Sequence, residues 1–359
     1  MSKEQRAYFG NFDGLRFIAA TLVICAHYVT YFSEVDPTMG WWQRVIFTLD
    51  GSGAEAAVGF FFVLSGFLIT YLTLRDNDAT NAVSIGKFYV RRVLRIWPLY
   101  YVCMIAGFLL YPALSQIQDY KEIAHWELYA LFLANFDQIY FGNSNFLLGV
   151  FWSIAIEEQF YLVWPWIVFA FRNRLLTTCL VTLAISIIFQ SITHLPSHTI
   201  SSFHDLTIGA ALAVVCFHKR EVVGNWIRRA RPVAIALFYL FGLMVIVGRY
   251  QITNHFPGYE YMARTVNAAI YSIIILDQGF NVHSPVQIGR VPMISELGKV
   301  SYGLYLLHPL CILVVHRLLY HSIPTWCVLP AVLSLSIGLS LISFYGYERF
   351  FLKLKSRYY

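Results

Sequence analysis

Residues 14–33 read GLRFIAATLVICAHYVTYFS, a mostly apolar run long enough to cross a membrane as one helix. Similar runs recur along the 359 residues, of which 58% are hydrophobic. Only 13% are charged, whereas soluble domains carry about 25% charged residues. The mean hydropathy is +0.58. The sequence therefore predicts an all-α polytopic membrane protein.

Ten apolar runs can be placed as transmembrane helices. They lie at about 14–33, 54–74, 96–113, 151–171, 175–193, 203–218, 232–249, 264–281, 300–319 and 327–347. With this assignment, 21 of the 26 Lys and Arg fall on the side that carries both termini. The positive-inside rule then predicts cytoplasmic N- and C-termini. This distribution explains the net charge of +6 without a nucleic-acid partner.

One segment does not fit the alternation of spans and loops. Residues 126–142, WELYALFLANFDQIYFG, are apolar but short, and Glu127, Asn135 and Asp137 are spaced through them. A full span here would move two basic loops to the outer side. We therefore expect a re-entrant or interfacial helix, since such backbone is tolerated where it lines a protein cavity.

The remaining composition indicates one membrane unit. No stretch is long and polar enough for a second domain, so residues 1–359 are expected to form a single membrane-embedded domain. The first apolar run lacks a small-residue cleavage site after it and is interpreted as a retained helix. Six cysteines lie within or at the ends of apolar runs without a CxxC pair, so we expect no metal site and no disulfide framework.

The first apolar run carries an arginine and a histidine on one face. Arg16 and His27 are eleven positions apart. Eleven helical steps return to within about 20° of the starting direction and rise about 16.5 Å. An ionisable group inside an apolar span indicates a functional site or a water-filled path. The alternative is an anchoring arginine and a hydrogen-bonded interior histidine.

A second group of polar residues lies in FWSIAIEEQFYLVWP, residues 151–165. Glu157 and Glu158 occur about two turns into an aromatic helix, where they face about 100° apart, so at most one can face a given cavity squarely. Alternatively, both carboxylates lie near the outer boundary and are held by solvent or a snorkelling arginine.

A third group is basic and lies in KFYVRRVLRIWP, residues 87–98. Arg91, Arg92 and Arg95 have the three- and four-residue spacing that lets side chains project together. Such a fork suits phosphate, although anchoring to anionic lipid is the simpler reading of the cluster alone.

Two further motifs, each taken alone, favour a structural role over a catalytic one. His308 precedes Pro309 in LGKVSYGLYLLHP, residues 297–309, and GFFFVLSGFLIT, residues 59–70, holds small residues that favour close helix packing.

Taken together and in order, five segments resemble the acyltransferase-3 family of bacterial integral-membrane O-acyltransferases. They read DGLRFIAATLVICAH, GFFFVLSGFLIT, FYVRRVLRIWPLYY, FWSIAIEEQFYLVWP and SYGLYLLHP. The resemblance covers nearly the whole chain, and its Arg-x10-His and WS-x3-E-x2-FY patterns are the most specific. An extracytoplasmic SGNH-type domain found in some members is missing, so the resemblance implies a stand-alone form.

The resemblance also implies an activity and a set of functional residues. The family transfers an acyl group, often acetyl, from cytoplasmic acyl-CoA to a hydroxyl of a carbohydrate or other acceptor. Arg16 and His27 match the family's functional pair, Glu157 matches its carboxylate, and Arg92 and Arg95 match its RxxR motif.

The residue patterns and the family resemblance together suggest a mechanism. We expect Arg16, Arg92 and Arg95 to hold the phosphates of acyl-CoA, a donor co-substrate, without any bound cofactor. His27 is the expected general base, and Glu157 is expected to orient it or to stabilise its imidazolium, as the carboxylate does in a Ser-His-Asp triad.

Supporting residues and partners complete the prediction. The supporting candidates are Asp13, Ser153, Glu158 and His308. The partners are membrane lipid, acyl-CoA and a hydroxyl acceptor in a bacterial inner membrane. A proton-coupled transporter or flippase, in which buried His and Glu relay protons, is the alternative function.

Overall fold

The computed structural model describes residues 9–35, 52–80, 85–114, 121–142, 145–248, 252, 255, 256, 259–281, 283–320, 322–355 and 358. Within these residues the chain is helical and contains no strand, which confirms the predicted all-α class. The helices are α1 (Gly10–Val35), α2 (Ser52–Thr80), α3 (Ile85–Leu114), α4 (Trp126–Ala130), α5 (Ala134–Tyr140), α6 (Phe151–Ala170), α7 (Leu175–Thr193), α8 (Thr199–His218), α9 (Arg220–Arg229), α10 (Pro232–Val247), α11 (Tyr259–Phe280), α12 (Pro292–Lys299), α13 (Ser301–Leu319), α14 (Thr325–Ser343) and α15 (Arg349–Lys355).

Eight described helices are long and apolar enough to cross a membrane. They are α1, α2, α3, α6, α7, α8, α13 and α14, the last continuing through a π-helical turn at Phe344–Glu348 into α15. α9 and α10 form a ninth candidate, bent by 95°. The remaining predicted span, at 264–281, corresponds to α11, which is not among these candidates and contains Arg264 and Asp277. The count of ten and the cytoplasmic termini stay predictions.

The segment at 126–142 does not form one continuous helix. It is divided into α4 and α5 at Phe132, whose φ of 56° lies in the left-handed region that a bulky residue rarely adopts. Asn135 and one carboxylate oxygen of Asp137 have hydrogen-bond partners inside the protein. Asn135 donates to Thr199 Oγ1 at 3.0 Å, and Asp137 Oδ1 lies 2.7 Å from His125 Nδ1. Neither piece is long enough to cross a membrane alone.

The closest helix contact in the bundle brings together α2 and α8. A Cβ atom added at Gly66 would lie 1.8 Å from the Leu206 carbonyl oxygen, and one at Gly209 would lie 1.9 Å from the Val63 carbonyl oxygen. Two backbones approach this closely only where side chains are absent, so packing is confirmed as the role of Gly66. This contact fixes the position of α2, which carries Ser65 into the centre of the protein.

Replacing Gly66 with alanine should destabilise the bundle, because α2 and α8 must separate to admit the methyl group. We expect Gly66→Ala to lower stability by about 1–3 kcal/mol or more. The measurement is thermal denaturation of the purified protein in detergent. The matched control is Gly59→Ala on the same helix, where the added Cβ would meet only Tyr271 Cε2 at an ordinary 3.6 Å. Equal melting temperatures for the two variants would contradict the observed packing.

Candidate active site

Three arginines line one cavity among α1, α2, α3, α6 and α13. Arg16 belongs to α1. Arg92 and Arg95 belong to α3 and lie one turn apart on the same face of that helix. Arg16 also forms an ion pair with Asp13, with Nη1 and Oδ1 2.8 Å apart. Arg91, the remaining arginine of the predicted basic group, is not among the described lining residues and pairs with Asp76 at 3.3 Å. The structure therefore brings the three predicted anion-binding residues together.

The cavity concentrates positive charge. Arg16 lies within electrostatic range of both Arg92 and Arg95, so the three guanidinium groups repel one another. The Arg92 guanidinium is held over the Tyr161 ring, with its carbon 5.1 Å from the ring centroid. Arg95 is also within electrostatic range of the buried Glu348, from the π-helical turn. Such a cluster is suited to a multiply charged anion.

Glu157 and Glu158 face different surroundings, as their 100° separation on a helix requires. Glu157 lines the cavity and accepts hydrogen bonds from the Ser65 hydroxyl at 2.9 Å and the Tyr161 hydroxyl at 2.8 Å. Glu158 instead accepts from the Trp97 indole N–H at 2.9 Å. Glu157 is thus the carboxylate of the cavity, and Glu158 contributes to the packing of α6 against α3.

His27 and His308 form a hydrogen-bonded pair between α1 and α13. His27 Nδ1 lies 2.8 Å from His308 Nε2, and His308 Nδ1 lies 3.1 Å from the Leu304 carbonyl oxygen. A carbonyl oxygen only accepts, so His308 carries its proton on Nδ1 and presents a lone pair at Nε2. His27 must then donate from Nδ1. In the neutral pair, this arrangement leaves the lone pair of His27 on Nε2.

The predicted orientation of His27 by Glu157 is wrong in this structure. The partner of His27 is His308, and the hydrogen bonds of Glu157 go to Ser65 and Tyr161. The physical reason is the packing of the helices: α6 turns Glu157 toward α2, whereas the His27 face of α1 packs against α13.

One residue, Tyr305, connects the histidine pair with the arginine-lined cavity. Tyr305 lines that cavity, and its ring centroid is 6.1 Å from that of His308. Its hydroxyl shares a 2.6 Å hydrogen bond with Ser153, a predicted supporting residue that also lines the cavity. The predicted site residues therefore form two adjacent groups, one of arginines, Glu157 and Ser153 and one of histidines, and Tyr305 borders both.

The lining also includes Ser65, Tyr161 and Tyr305, which were not predicted as site residues. Ser65 belongs to an SGF segment that had only a packing interpretation, Tyr161 follows Glu157 by one helical turn, and Tyr305 belongs to the SYGLY segment. A signal for Tyr161 was present, because residues four apart on a helix are neighbours. Across the described part of the chain, no three His, Cys, Asp or Glu side chains are close enough to hold a metal ion.

Comparison with known proteins gives one family match. The acyltransferase-3 family model, described as an acyltransferase domain, matches residues 9–345. The peptidoglycan O-acetyltransferase OatA of Listeria monocytogenes is 26% identical over 336 residues, which cover 86% of this chain and 50% of that protein. The putative peptidoglycan O-acetyltransferase YrhL of Bacillus subtilis is 25% identical over 333 residues, covering 85% of this chain and 49% of that protein.

A more distant part-length match is nodulation protein 10 of Rhizobium leguminosarum, 29% identical over 176 residues, or 45% of each chain. The chain spans about half the length of the curated relatives that it matches over most of its own length. No solved structure matches it significantly.

The histidine pair predicts a specific pattern of stabilities. His308→Leu or His27→Leu alone leaves the other imidazole without its partner, and we expect each to cost about 1–3 kcal/mol. The double variant should cost less than the sum of the two, because both polar groups are removed together. Thermal denaturation of the four proteins in detergent measures this coupling. Strictly additive losses would show that the two rings do not interact.

Proposed function

Because this chain belongs to the acyltransferase-3 family, we propose that it is a membrane O-acyltransferase that moves an acyl group, acetyl in the simplest case, from cytoplasmic acyl-CoA to a carbohydrate hydroxyl. The acceptor is a cell-surface polysaccharide or its lipid-linked precursor, and the membrane is the bacterial inner membrane. The main support for this proposal is the cavity lined by three arginines and Glu157. Tyr305, which also lines this cavity, contacts the histidine pair.

The arginine cavity serves as the donor site. Arginine offers rigid, paired N–H donors that match phosphate oxygens, and a half-buried cluster of three attracts a multiply charged nucleotide. The cavity is about 110 Å³, well below the roughly 300–1,000 Å³ of sites that enclose a whole drug-sized ligand. The acyl thioester end therefore enters the cavity, while the nucleotide lies at its mouth with its phosphates against the arginines, on the cytoplasmic side in the predicted orientation.

Glu157 keeps the donor site organised. Its carboxylate is within electrostatic range of Arg92 and Arg16 and is held by two hydroxyl groups. A fixed negative charge at this position offsets part of the repulsion among the arginines. We assign Glu157 to the positioning of these guanidinium groups in place of the orientation of His27.

His27 acts as the general base through Nε2. The acceptor hydroxyl loses its proton to this nitrogen as its oxygen attacks the thioester carbonyl carbon, a C–O bond forms and the C–S bond breaks. The proton then leaves with the CoA thiolate, so the products are the O-acyl ester and free CoA thiol. His308 holds the tautomer of His27 and keeps accepting from Nδ1 while the imidazolium exists. Ser153 and Tyr305 line the donor cavity on which this pair borders through Tyr305, and they supply two hydroxyl groups there.

Loss of the base should abolish acyl transfer. We expect His27→Ala to lower the glycan-dependent release of free thiol from acetyl-CoA by at least about 100-fold, the usual contribution of a general base. The assay uses purified protein in nanodiscs with and without cell-surface glycan. His283→Ala, at an exposed histidine, is the matched control and should keep wild-type rates.

Two results would contradict this assignment. Wild-type thiol release in His27→Ala would exclude His27 as the base. The absence of release from the wild-type protein with every acyl donor and glycan tried would overturn the proposed activity and favour the transporter.

Loss of an arginine should weaken donor binding more than it slows turnover. We expect Arg92→Ala and Arg95→Ala each to raise the KM for acyl-CoA about 10–100-fold, because a charge-assisted hydrogen bond to phosphate contributes about 1.5–3 kcal/mol. The measurement is initial rate against acyl-CoA concentration at saturating glycan. Arg229→Ala removes an exposed arginine of α9 and should leave the KM unchanged. A fall in kcat at constant KM would place these arginines outside the donor site.

A further inference from the structure

A second cavity lies beside the donor cavity, separated from it by one layer of side chains. Val58 and Phe62 line both cavities, and the neighbours Trp152 and Ser153 divide between them, Trp152 facing the second cavity and Ser153 the donor cavity. The volume of the second cavity is about 340 Å³, within the range of about 300–1,000 Å³ found for small-molecule sites. Most of the residues that line it come from the N-terminal parts of α2, α6 and α8, from the C-terminal end of α7 and from α11.

The second cavity has more acidic than basic groups in its lining, whereas the donor cavity has more basic than acidic ones. Among the described residues, two carboxylates (Glu55 and Asp205) and one guanidinium group (Arg264) line the second cavity, whereas three guanidinium groups and one carboxylate line the donor cavity. Arg264 Nε donates to Asp205 Oδ2 at 2.7 Å, so the positive charge is already matched. Among the described lining residues the carboxylates outnumber the guanidinium groups, which disfavours a phosphate. The lining therefore favours a neutral ligand rich in hydroxyl groups.

The polar groups of this cavity are held rigidly. Asp205 Oδ1 lies 2.9 Å from His204 Nδ1, and Arg264 Nη1 donates to Gln190 Oε1 at 3.1 Å. The indole of Trp152 is fixed edge-on against Phe62, with ring centroids 6.1 Å apart. An aromatic face beside fixed hydrogen-bonding groups is suited to a sugar ring, which has apolar C–H faces and a rim of hydroxyl groups.

One buried polar atom in this cavity has no partner. Asn267, which lines the cavity and is only 6% exposed, has no hydrogen-bond partner for its Oδ1 within the residues that the structure describes. Buried carbonyl oxygens are nearly always paired, so this atom indicates a position for a donor from a ligand, such as a sugar hydroxyl. The observation is independent of the charge balance of the lining.

From these observations we propose that the second cavity binds a neutral sugar residue of the acceptor and delivers its hydroxyl toward the donor side across Val58 and Phe62. This inference rests on the proposed acyltransferase activity. Asn267 and Trp152 are the expected sugar contacts, and the Asp205–Arg264 pair is the fixed polar wall. The donor and the acceptor would then occupy separate cavities of opposite charge balance.

The test compares acceptor and donor kinetics in two variants. In Asn267→Leu and in Trp152→Ala, we expect the KM for the glycan acceptor to rise about tenfold or more, since a site built to hydrogen-bond its ligand loses strongly when the bond is removed. The KM for acetyl-CoA should stay unchanged. Asn173→Leu, at an exposed asparagine, is the matched control. If Asn267→Leu does not fold, Gln190→Ala at the rim of the cavity replaces it.

Direct binding separates failure of this inference from failure of the proposed activity. Calorimetric titration of the wild-type protein uses maltotriose, cellotriose and chitotriose, each with and without a phosphate group. Binding of a neutral trisaccharide that is lost in Asn267→Leu supports the cavity assignment, even without turnover. Active protein whose acceptor KM is unchanged in the variants would overturn it and leave the activity standing. Binding of no trisaccharide to the wild type, or preference for the phosphorylated ones, would also overturn it.

Discussion

A charged or polar side chain inside an apolar helix bundle requires a partner, because leaving it bare costs several kcal/mol. This constraint accounts for the arrangement of the central helices. Arg16 reaches back to Asp13 one turn earlier, Glu157 is held by Ser65 and Tyr161, and His27 is held by His308. Each pairing joins or stabilises a helix that the apolar contacts alone would not orient. The same pairings place the three arginines and the carboxylate of the site around one cavity.

The positioning of α2 links packing to chemistry. Its close contact with α8 at Gly66 allows the neighbouring Ser65 to face α6 and donate to Glu157. One and two turns earlier, Phe62 and Val58 separate the two cavities. A helix that had to stand further from α8 would shift both the hydrogen bond and the separating side chains. Gly66 on α2 therefore influences the geometry of the site although it is not among the lining residues of either cavity.

Hydropathy and helical periodicity were sufficient to predict much of this arrangement. The length of the apolar runs gave the class of fold, and the 100° turn per residue predicted that Glu157 and Glu158 cannot face the same cavity squarely. Periodicity also brought Arg92 and Arg95 to one face of α3. These are local properties, since they relate residues within a single helix.

Contacts between distant helices were beyond that reasoning. His27 and His308 are 281 positions apart, and Arg264 and Asp205 are 59 apart. Their pairing depends on which helices become neighbours and at what depth, which neither hydropathy nor spacing determines. A carboxylate partner for His27 was the natural expectation from soluble hydrolases. In an apolar interior, however, a carboxylate carries its own burial cost, whereas a neutral imidazole bonded to a helix carbonyl holds the same tautomer without adding a charge. That difference makes His308 a suitable orienting partner at this depth and leaves Glu157 available to organise the arginines.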